Sequence, residues 1–218
     1  MEKKYTSVLF DLDGTLTDSG PGIMRCARCA LDELNVSVAP DADLRTFVGP
    51  PLRKTFPEFG VPEDRVEEAV EIYRRHYHKG NGKFENYPYP GIEDLLSRLR
   101  AEGLHLYVAT SKPEKLSIEI LKHFSMDHWF DLICGATEDG SRDAKADVIR
   151  YLLDRIEDPD SAVMVGDTVY DVTGAAALSL PCIAVSWGYG HVSEMKAAGA
   201  AAVADTPEAL GALLLGQA

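Results

Sequence analysis

Residues 8–15 read Val-Leu-Phe-Asp-Leu-Asp-Gly-Thr, an apolar run that ends in two carboxylates one residue apart and then a glycine. Side chains alternate along a strand, so Asp11 and Asp13 begin on the same side, and Gly14 lets the chain turn away behind them. Two carboxylates this close repel each other unless a cation or hydrogen bonds compensate them. The stretch therefore predicts a strand with a divalent cation at its tip, and oxygen ligands favour Mg²⁺. Taken alone, it also fits an exposed Asp-rich turn after an edge strand.

A second acidic strand end lies far downstream, where residues 162–171 read Ala-Val-Met-Val-Gly-Asp-Thr-Val-Tyr-Asp. The carboxyl ends of parallel strands lie along one edge of an α/β sheet, so distant strands can line one cavity there. We therefore predict a metal site formed by Asp11, Asp13, Asp167 and Asp171. The residues themselves leave open whether Asp167 or Asp171 is the direct ligand.

A third strand is predicted from Leu104 to Ala109, and residues 110–113 after it read Thr-Ser-Lys-Pro. Hydroxyls and the amides at a helix start bind anions, which makes Thr110 and Ser111 candidates for holding an anionic group of a substrate. Ser or Thr before Pro is also ordinary helix capping, and the two hydroxyl residues alone favour that interpretation.

The segments 11–16 and 166–171, with Thr110 and a downstream lysine between them, resemble the haloacid dehalogenase-like superfamily, and within it the phosphatases similar to phosphoglycolate phosphatase. The resemblance covers essentially the whole chain. It implies that Asp11 is a nucleophile forming an aspartyl-phosphate and that Asp13 is the general acid and base. Dehalogenating members lack the second aspartate, so Asp13 indicates phosphoryl transfer. The resemblance also favours Asp167 as the direct Mg²⁺ ligand, together with Asp11 and the backbone carbonyl of Asp13. It implies that Asp171 is either a direct ligand as well or bonds a metal-bound water.

The lysine of the family motif has two candidates. Phosphatases of this type often carry Lys-Pro-x-Pro before a helix, whereas residues 140–149 read Gly-Ser-Arg-Asp-Ala-Lys-Ala-Asp-Val-Ile. Lys145, at the start of the helix, is the better match for pairing with the phosphate and Asp11. Arg142 is the alternative candidate for this role. Without a role in the site, Lys145 would be a solvated surface lysine, which is the most common state of that residue.

The order of elements predicts an α/β protein with a Rossmann-like parallel sheet core and an inserted helical segment. Residues 1–17 and 88–218 form the predicted core domain, and residues 18–87 form the insertion. The resemblance implies a haloacid dehalogenase-like fold in which the insertion is a mobile cap that sets substrate choice. Further strands are predicted near residues 132–134, 183–185 and 201–203, and helices of the insertion near residues 22–34, after 40, 52–58 and 63–79.

Two further segments are candidates for the surroundings of the site. The Gly-Pro-Pro turn at residues 49–51 presents Arg53 in the first turn of a helix, where it could reach a substrate carboxylate or phosphate; an ordinary surface arginine fits equally well. Residues 186–191 read Ser-Trp-Gly-Tyr-Gly-His. Similar loops line the edge of the site in the phosphatases that this chain resembles, although the glycines alone favour a tight connection between strand and helix.

The composition of the chain limits the classes of partner that we expect. The chain of 218 residues has a formal net charge of −13, which argues against nucleic acid or an anionic membrane surface as the main partner. We see no signal peptide or membrane span, and the four cysteines, read as free thiols, suit a reducing cytoplasm. We expect the protein to act on a small phosphorylated metabolite and to be a monomer or a homodimer.

The predicted function is Mg²⁺-dependent hydrolysis of a small phosphate monoester through an aspartyl-phosphate, with phosphoglycolate as the leading substrate by resemblance. A 5′-nucleotidase or pyrophosphatase of the same superfamily is the first alternative. A phosphomutase of the β-phosphoglucomutase type and a binding protein without turnover follow.

Overall fold

The computed structural model describes residues 5–39, 41–137 and 139–217. The chain divides into two compact units. The first is built from Met1–Thr17 and Pro88–Ala218, and the second is Asp18–Tyr87.

Six parallel strands form the sheet of the first unit. The strands of the protein in chain order are β1 (Ser7–Phe10), β2 (Thr17–Asp18), β3 (Tyr87–Pro88), β4 (His105–Pro113), β5 (Leu132–Ala136), β6 (Ala162–Gly166), β7 (Cys182–Val185) and β8 (Ala202–Ala204). All except β2 and β3 belong to this sheet. Their spatial order is β5-β4-β1-β6-β7-β8, so the N-terminal strand lies at the centre.

Helices cover both faces of this sheet. They are α4 (Ile92–Ala101), α5 (Glu114–His123), α6 (Lys145–Leu153), α7 (Val169–Ala176), α8 (Val192–Ala197) and α9 (Pro207–Leu214). The second unit contains the three helices that come earlier in the chain: α1 (Gly20–Glu33), α2 (Leu52–Glu58) and α3 (Val66–Arg74).

The centre of the sheet is apolar on both sides. Along β1, Val8 and Phe10 belong to one hydrophobic cluster, which includes residues of α4 and α9, whereas Leu9 belongs to another, which includes residues of α6 and α7. A strand buried on both faces needs a continuous apolar run, and this explains the pattern of residues 8–10. The predicted α/β core with a parallel sheet is confirmed.

One predicted boundary is wrong in an informative way. Strand β4 does not end at Ala109 but continues through Thr110 and Ser111 to Pro113, and α5 begins at Glu114 after Pro113, which provides no side-chain cap. Thr110 and Ser111 are therefore strand residues, and the capping interpretation is wrong for both. A register shift against β5 in this part of β4 lets the strand carry the extra residues.

The second unit is helical in its interior. Besides α1, α2 and α3 it contains 3₁₀ turns at Leu44–Phe47, Glu63–Arg65 and Gly82–Phe84. The helix predicted over residues 63–79 is a composite, because α3 is preceded by a 3₁₀ turn and followed by a π-helical turn, Arg75–Lys79. Its apolar stripe is buried: Val66, Val70, Tyr73 and Tyr77.

The chain passes between the two units at two places, and the short strands β2 and β3 found there pair with each other. Among the helices of the described residues, none is both long and apolar enough to cross a membrane.

Candidate active site

Asp11 and Asp13 follow the end of β1 at the edge of the sheet. The Asp11 amide donates to the Val165 carbonyl at 2.9 Å, so Asp11 is still fixed to the sheet, and its side chain is buried. Gly14 then adopts φ +83°, a left-handed conformation that glycine tolerates. Gly14 is required for space as well, because a Cβ there would lie 2.2 Å from Asp167 Oδ2. The turn thus brings the first acidic segment directly against the second.

Asp167 follows β6 and is completely buried. The Thr15 hydroxyl donates to Oδ1 at 3.0 Å, and the Tyr189 amide donates to Oδ2 at 2.9 Å. A Cβ on Gly188 would lie 2.3 Å from the Asp167 Cβ, and one on Gly190 would lie 2.1 Å from the Asp167 carbonyl oxygen. The Gly-Tyr-Gly loop is therefore part of the wall of the site, and its glycines are needed for close approach.

Asp171 lies in the first turn of α7 and is also completely buried. Its Oδ2 accepts bonds from the Thr168 amide at 2.9 Å and the Thr168 hydroxyl at 2.8 Å, forming a capping box. Asp171 thus has a structural task at the start of α7.

Lys145 is the first residue of α6, and its side chain is only 5% exposed. Its Nζ lies 2.8 Å from Asp11 Oδ1 and 2.7 Å from Asp171 Oδ1, and it donates to the Ala109 carbonyl at 3.1 Å. The ammonium is thus held by two ion pairs and one hydrogen bond. The structure brings Lys145 to the carboxylates and excludes the solvated surface interpretation.

Arg142 has different partners. Its guanidinium donates to the Gly135 carbonyl at 2.8 Å and to Glu114 Oε2 at 2.6 Å, and its Cζ lies 3.7 Å from the ring centroid of Tyr151. These contacts fasten the loop before α6, whereas Lys145 contacts Asp11. Arg53 belongs to the second unit, where its Nε lies 2.6 Å from Glu67 Oε1.

Oxygen atoms of Asp11, Asp167 and Asp171 lie within 4.8 Å of one another. Burial is the main cause that raises the pKa of Asp11 to about 6; Lys145 opposes this shift, and Asp171 and Asp13 add to it. Burial, followed by the charges of Asp171 and Asp11, raises the pKa of Asp167 well above its usual value. Burial alone would lower the pKa of Lys145, but Asp11 and Asp171 raise it above its ordinary value.

One ammonium group does not balance three buried carboxylates, and the remaining negative charge favours a bound cation. Carboxylate oxygens are the ligands that Mg²⁺ prefers, so the donor set fits this ion. The three carboxylates would hold this ion, which would supply the positive charge that Lys145 alone does not provide.

The remaining candidates lie on the extension of β4. Thr110 is buried, with its Oγ1 accepting a 3.3 Å bond from the Lys112 amide, and Ser111 is exposed. The side chain of Lys112 reaches Asp13, with 2.7 Å between Nζ and Oδ2. Sequence reasoning did not select Lys112 as a site residue, although the placement of Thr-Ser-Lys directly after a central strand was the signal available.

Comparison with known proteins agrees with this geometry. The family model of haloacid dehalogenase-like hydrolases matches residues 8–185. Among solved structures, a predicted phosphatase from Clostridium acetobutylicum superposes with a TM-score of 0.89 at 44% identity, covering 97% of this chain and 99% of that one.

Curated relatives carry several activities in their names. The tyrosine-protein kinase PtkA of Mycobacterium tuberculosis is 42% identical over 94% of this chain and 72% of its own length. A 5′-nucleotidase of Pseudomonas aeruginosa is 41% identical, covering 89% of this chain and 88% of its own. A phosphoglycolate phosphatase of Cupriavidus necator is 32% identical, covering 96% and 93%.

The phosphatase names among these relatives support the expected enzyme class. The match of the family model over most of the sequence, and the identities to curated members, confirm the resemblance predicted from the motifs. The chain therefore belongs to the haloacid dehalogenase-like hydrolase family.

Proposed function

We propose that the protein hydrolyses a small phosphate monoester, with Mg²⁺, through an aspartyl-phosphate on Asp11. One observation carries the proposal: Asp11 is buried at a strand tip, in contact with the ammonium of Lys145 and among the carboxylates of Asp167 and Asp171. Phosphoryl transfer needs a positioned nucleophile, positive charge around the phosphoryl oxygens and a proton for the leaving group. The residues of this site supply the nucleophile and part of the charge.

The reaction takes two steps. In the first, the Asp11 carboxylate attacks phosphorus, the bond to the ester oxygen breaks, and Asp13 gives its proton to the departing alkoxide. In the second, Asp13 takes a proton from water, the water oxygen attacks phosphorus, and the bond to Asp11 breaks, which releases inorganic phosphate. Asp13 thereby returns to its starting protonation state.

The surrounding residues support the charge that develops. Lys145 would stabilise the phosphoryl oxygens next to Asp11, and Thr110 would hold them by its hydroxyl. When bound by Asp11, Asp167 and the Asp13 carbonyl, Mg²⁺ would neutralise the approach of a carboxylate to a phosphate dianion. The motif resemblance favours Asp167 as the direct ligand, and Asp171 contacts Lys145 and caps α7.

Two substrate classes are favoured. Phosphoglycolate is the leading candidate from the motif resemblance and a relative of that name. Nucleoside 5′-monophosphates are the second candidate, because the relative named 5′-nucleotidase has the higher identity, 41% against 32%. The choice depends on Arg53 and other residues of the second unit.

The second unit, Asp18–Tyr87, is proposed to act as a cap. Its helical build and its two short connections, at β2 and β3, support this role. A lid would control water access to the aspartyl-phosphate. Spectroscopic distances between labels on the two units should shorten with a phosphate mimic plus Mg²⁺. Unchanged distances would contradict the cap.

Phosphate release tests the main proposal. The panel contains phosphoglycolate, nucleoside monophosphates, pyrophosphate and sugar phosphates, each with Mg²⁺ and then with chelator, for the wild type, Asp11→Asn and the control Asp43→Asn. We expect chelator-sensitive release that disappears only in Asp11→Asn. Because one relative is named a kinase, the panel also includes ATP together with a tyrosine peptide. Release that persists in Asp11→Asn contradicts the mechanism, and transfer between sugar phosphates without release indicates the phosphomutase.

A further inference from the structure

Lys112 is a buried cation that the predicted mechanism does not use. Its side chain is 6% exposed, and its Nζ lies 2.7 Å from Oδ2 of Asp13, whose side chain is 15% exposed. Lysine is rarely buried unless it is paired, because the ammonium loses its hydration. Besides Lys145, the fold accepts this cost at Lys112, beside the proposed general acid and base.

The fold fixes the backbone that carries Lys112. Against β5, Ala109 pairs with Cys134 and Pro113 pairs with Ala136, so four steps along β4 correspond to two along β5. The extra residues form an irregular bulge, a device that re-aims side chains next to active sites. Gly135 leaves room for it, since a Cβ there would lie 2.4 Å from the Lys112 carbonyl oxygen.

Both ends of Lys112 are tied to residues of the site. Its amide donates to Thr110 Oγ1 at 3.3 Å, while its ammonium donates to Asp13 Oδ2. The other carboxyl oxygen, Asp13 Oδ1, is buried without a hydrogen-bond partner in the described part of the chain. One oxygen of Asp13 is thus anchored, and the other is left for a group that enters the site.

We propose that Lys112 is a positioning residue that holds the Asp13 carboxyl in the orientation needed for proton transfer to the leaving oxygen. Asp13 follows the strand tip in a turn, where a short carboxylate has several rotamers, and an ion pair with a buried, backbone-fixed lysine selects one of them. The inference rests on the proposed function and adds a residue to it. A purely structural ion pair is the competing explanation.

Leaving groups distinguish these explanations. An alkyl phosphate needs a proton on its departing oxygen, whereas p-nitrophenyl phosphate leaves as a stable phenolate. For Lys112→Met we expect kcat/KM with the alkyl substrate to fall about 10- to 100-fold, part of a full general-acid contribution. With the aryl phosphate it should change by less than about threefold. Lys122→Met, a substitution at an exposed lysine of α5, is the matched control.

A double-mutant cycle tests whether Lys112 acts through Asp13. If it does, Lys112→Met should cost nothing further in an Asp13→Asn background. Equal losses on both substrates, or a full additional loss in that background, would overturn the inference. Thermal melting checks the fold of each variant, and Lys112→Gln, which keeps a hydrogen-bond donor, replaces Lys112→Met if the latter does not fold.

The two proposals fail in different ways. A wild type that releases phosphate normally, with an unaffected Lys112→Met, overturns the role of Lys112 alone. A wild type without turnover on any phosphate monoester overturns the proposed function, and the role of Lys112 with it.

Discussion

Asp11 in the first unit and Asp43 in the second have nearly the same cationic contact and respond in opposite ways. Lys145 Nζ lies 2.8 Å from Asp11, and an Arg45 nitrogen lies 2.7 Å from Asp43. Yet burial raises the pKa of Asp11 to about 6, whereas hydrogen bonds from Arg45 lower the pKa of Asp43 to about 2. Burial therefore outweighs the nearby cation in setting the pKa of Asp11, whereas the hydrogen bonds from Arg45 prevail for the pKa of the exposed Asp43.

This contrast separates two uses of charge. Ion pairs in water contribute ~0–1 kcal/mol and are easily lost or gained. Buried carboxylates cost free energy that a single lysine does not recover, so their retention indicates chemistry. The charged groups of the site, Asp11, Asp167, Asp171 and Lys145, belong to the second class.

Asp11→Asn, which should abolish phosphate release, has the largest expected effect, and Asp13 follows. Asp13→Asn removes the group that moves the proton, and kcat should fall at least about hundredfold. Asp43→Asn removes an exposed carboxylate and should leave kcat unchanged. Steady-state phosphate release measures both variants. A similar kcat for Asp13→Asn and the wild type would remove Asp13 from the mechanism.

Lys145 and Arg142 sharpen the comparison inside the first unit. Lys145→Met removes the cation that touches Asp11, and kcat/KM should fall about 10²- to 10³-fold, as for loss of a transition-state donor. Arg142→Met breaks contacts with Glu114 and Gly135 and should lower stability by about 1–3 kcal/mol, with a smaller kinetic effect. Kinetics and urea unfolding separate the two. Normal catalysis in Lys145→Met beside strong impairment in Arg142→Met would reverse the assignment.

The pH dependence of stability tests the buried cluster without any substrate. The folded protein holds the Asp11 proton more tightly than the unfolded chain, because the pKa rises from 3.8 to about 6. Its contribution is therefore present at low pH and lost as the pH rises from about 4 to about 6, by up to ~3 kcal/mol. Without metal, the wild type should lose stability over this window relative to Asp11→Asn, in which this position does not titrate.

Mg²⁺ should restore the stability of the wild type at neutral pH, since it binds only the folded site. Asp167→Asn should abolish most of this gain, and Asp171→Asn should abolish less of it. Denaturant unfolding at several pH values, with Mg²⁺ and with chelator, provides the measurement. A free energy of unfolding that changes with neither pH nor Mg²⁺ would refute the proposed cation site.

The smallest effect is expected at Arg53, whose partner Glu67 is exposed. Arg53→Met should change stability by less than about 1 kcal/mol. If Arg53 contacts the substrate, KM should rise with little change in kcat. Arg45→Met, which breaks another exposed pair, with Asp43, is the control for the loss of an arginine. Equal kinetics in both variants would make Arg53 an ordinary surface residue.

Local sequence determined the frame of the protein. The apolar run of residues 8–10 predicted a strand, and the acidic tips at Asp11 and Asp167 follow from strand ends in a parallel sheet. These two features depend on periodicity and chain order, which are visible in one sequence. Lys145 was selected through the resemblance, as the lysine at the start of a helix that best matches the family motif.

Tertiary structure alone decided which partner each charged group received. Lys112 reaches Asp13 across 99 positions because a bulge in β4 extends the strand past its predicted end. Gly188 and Gly190 approach Asp167, and Arg142 turns to Glu114, through contacts between distant segments. Residue types determine which chemistry is available. Which charged side chains contact each other depends on strand register and on how closely distant segments pack, and neither can be read from the local sequence.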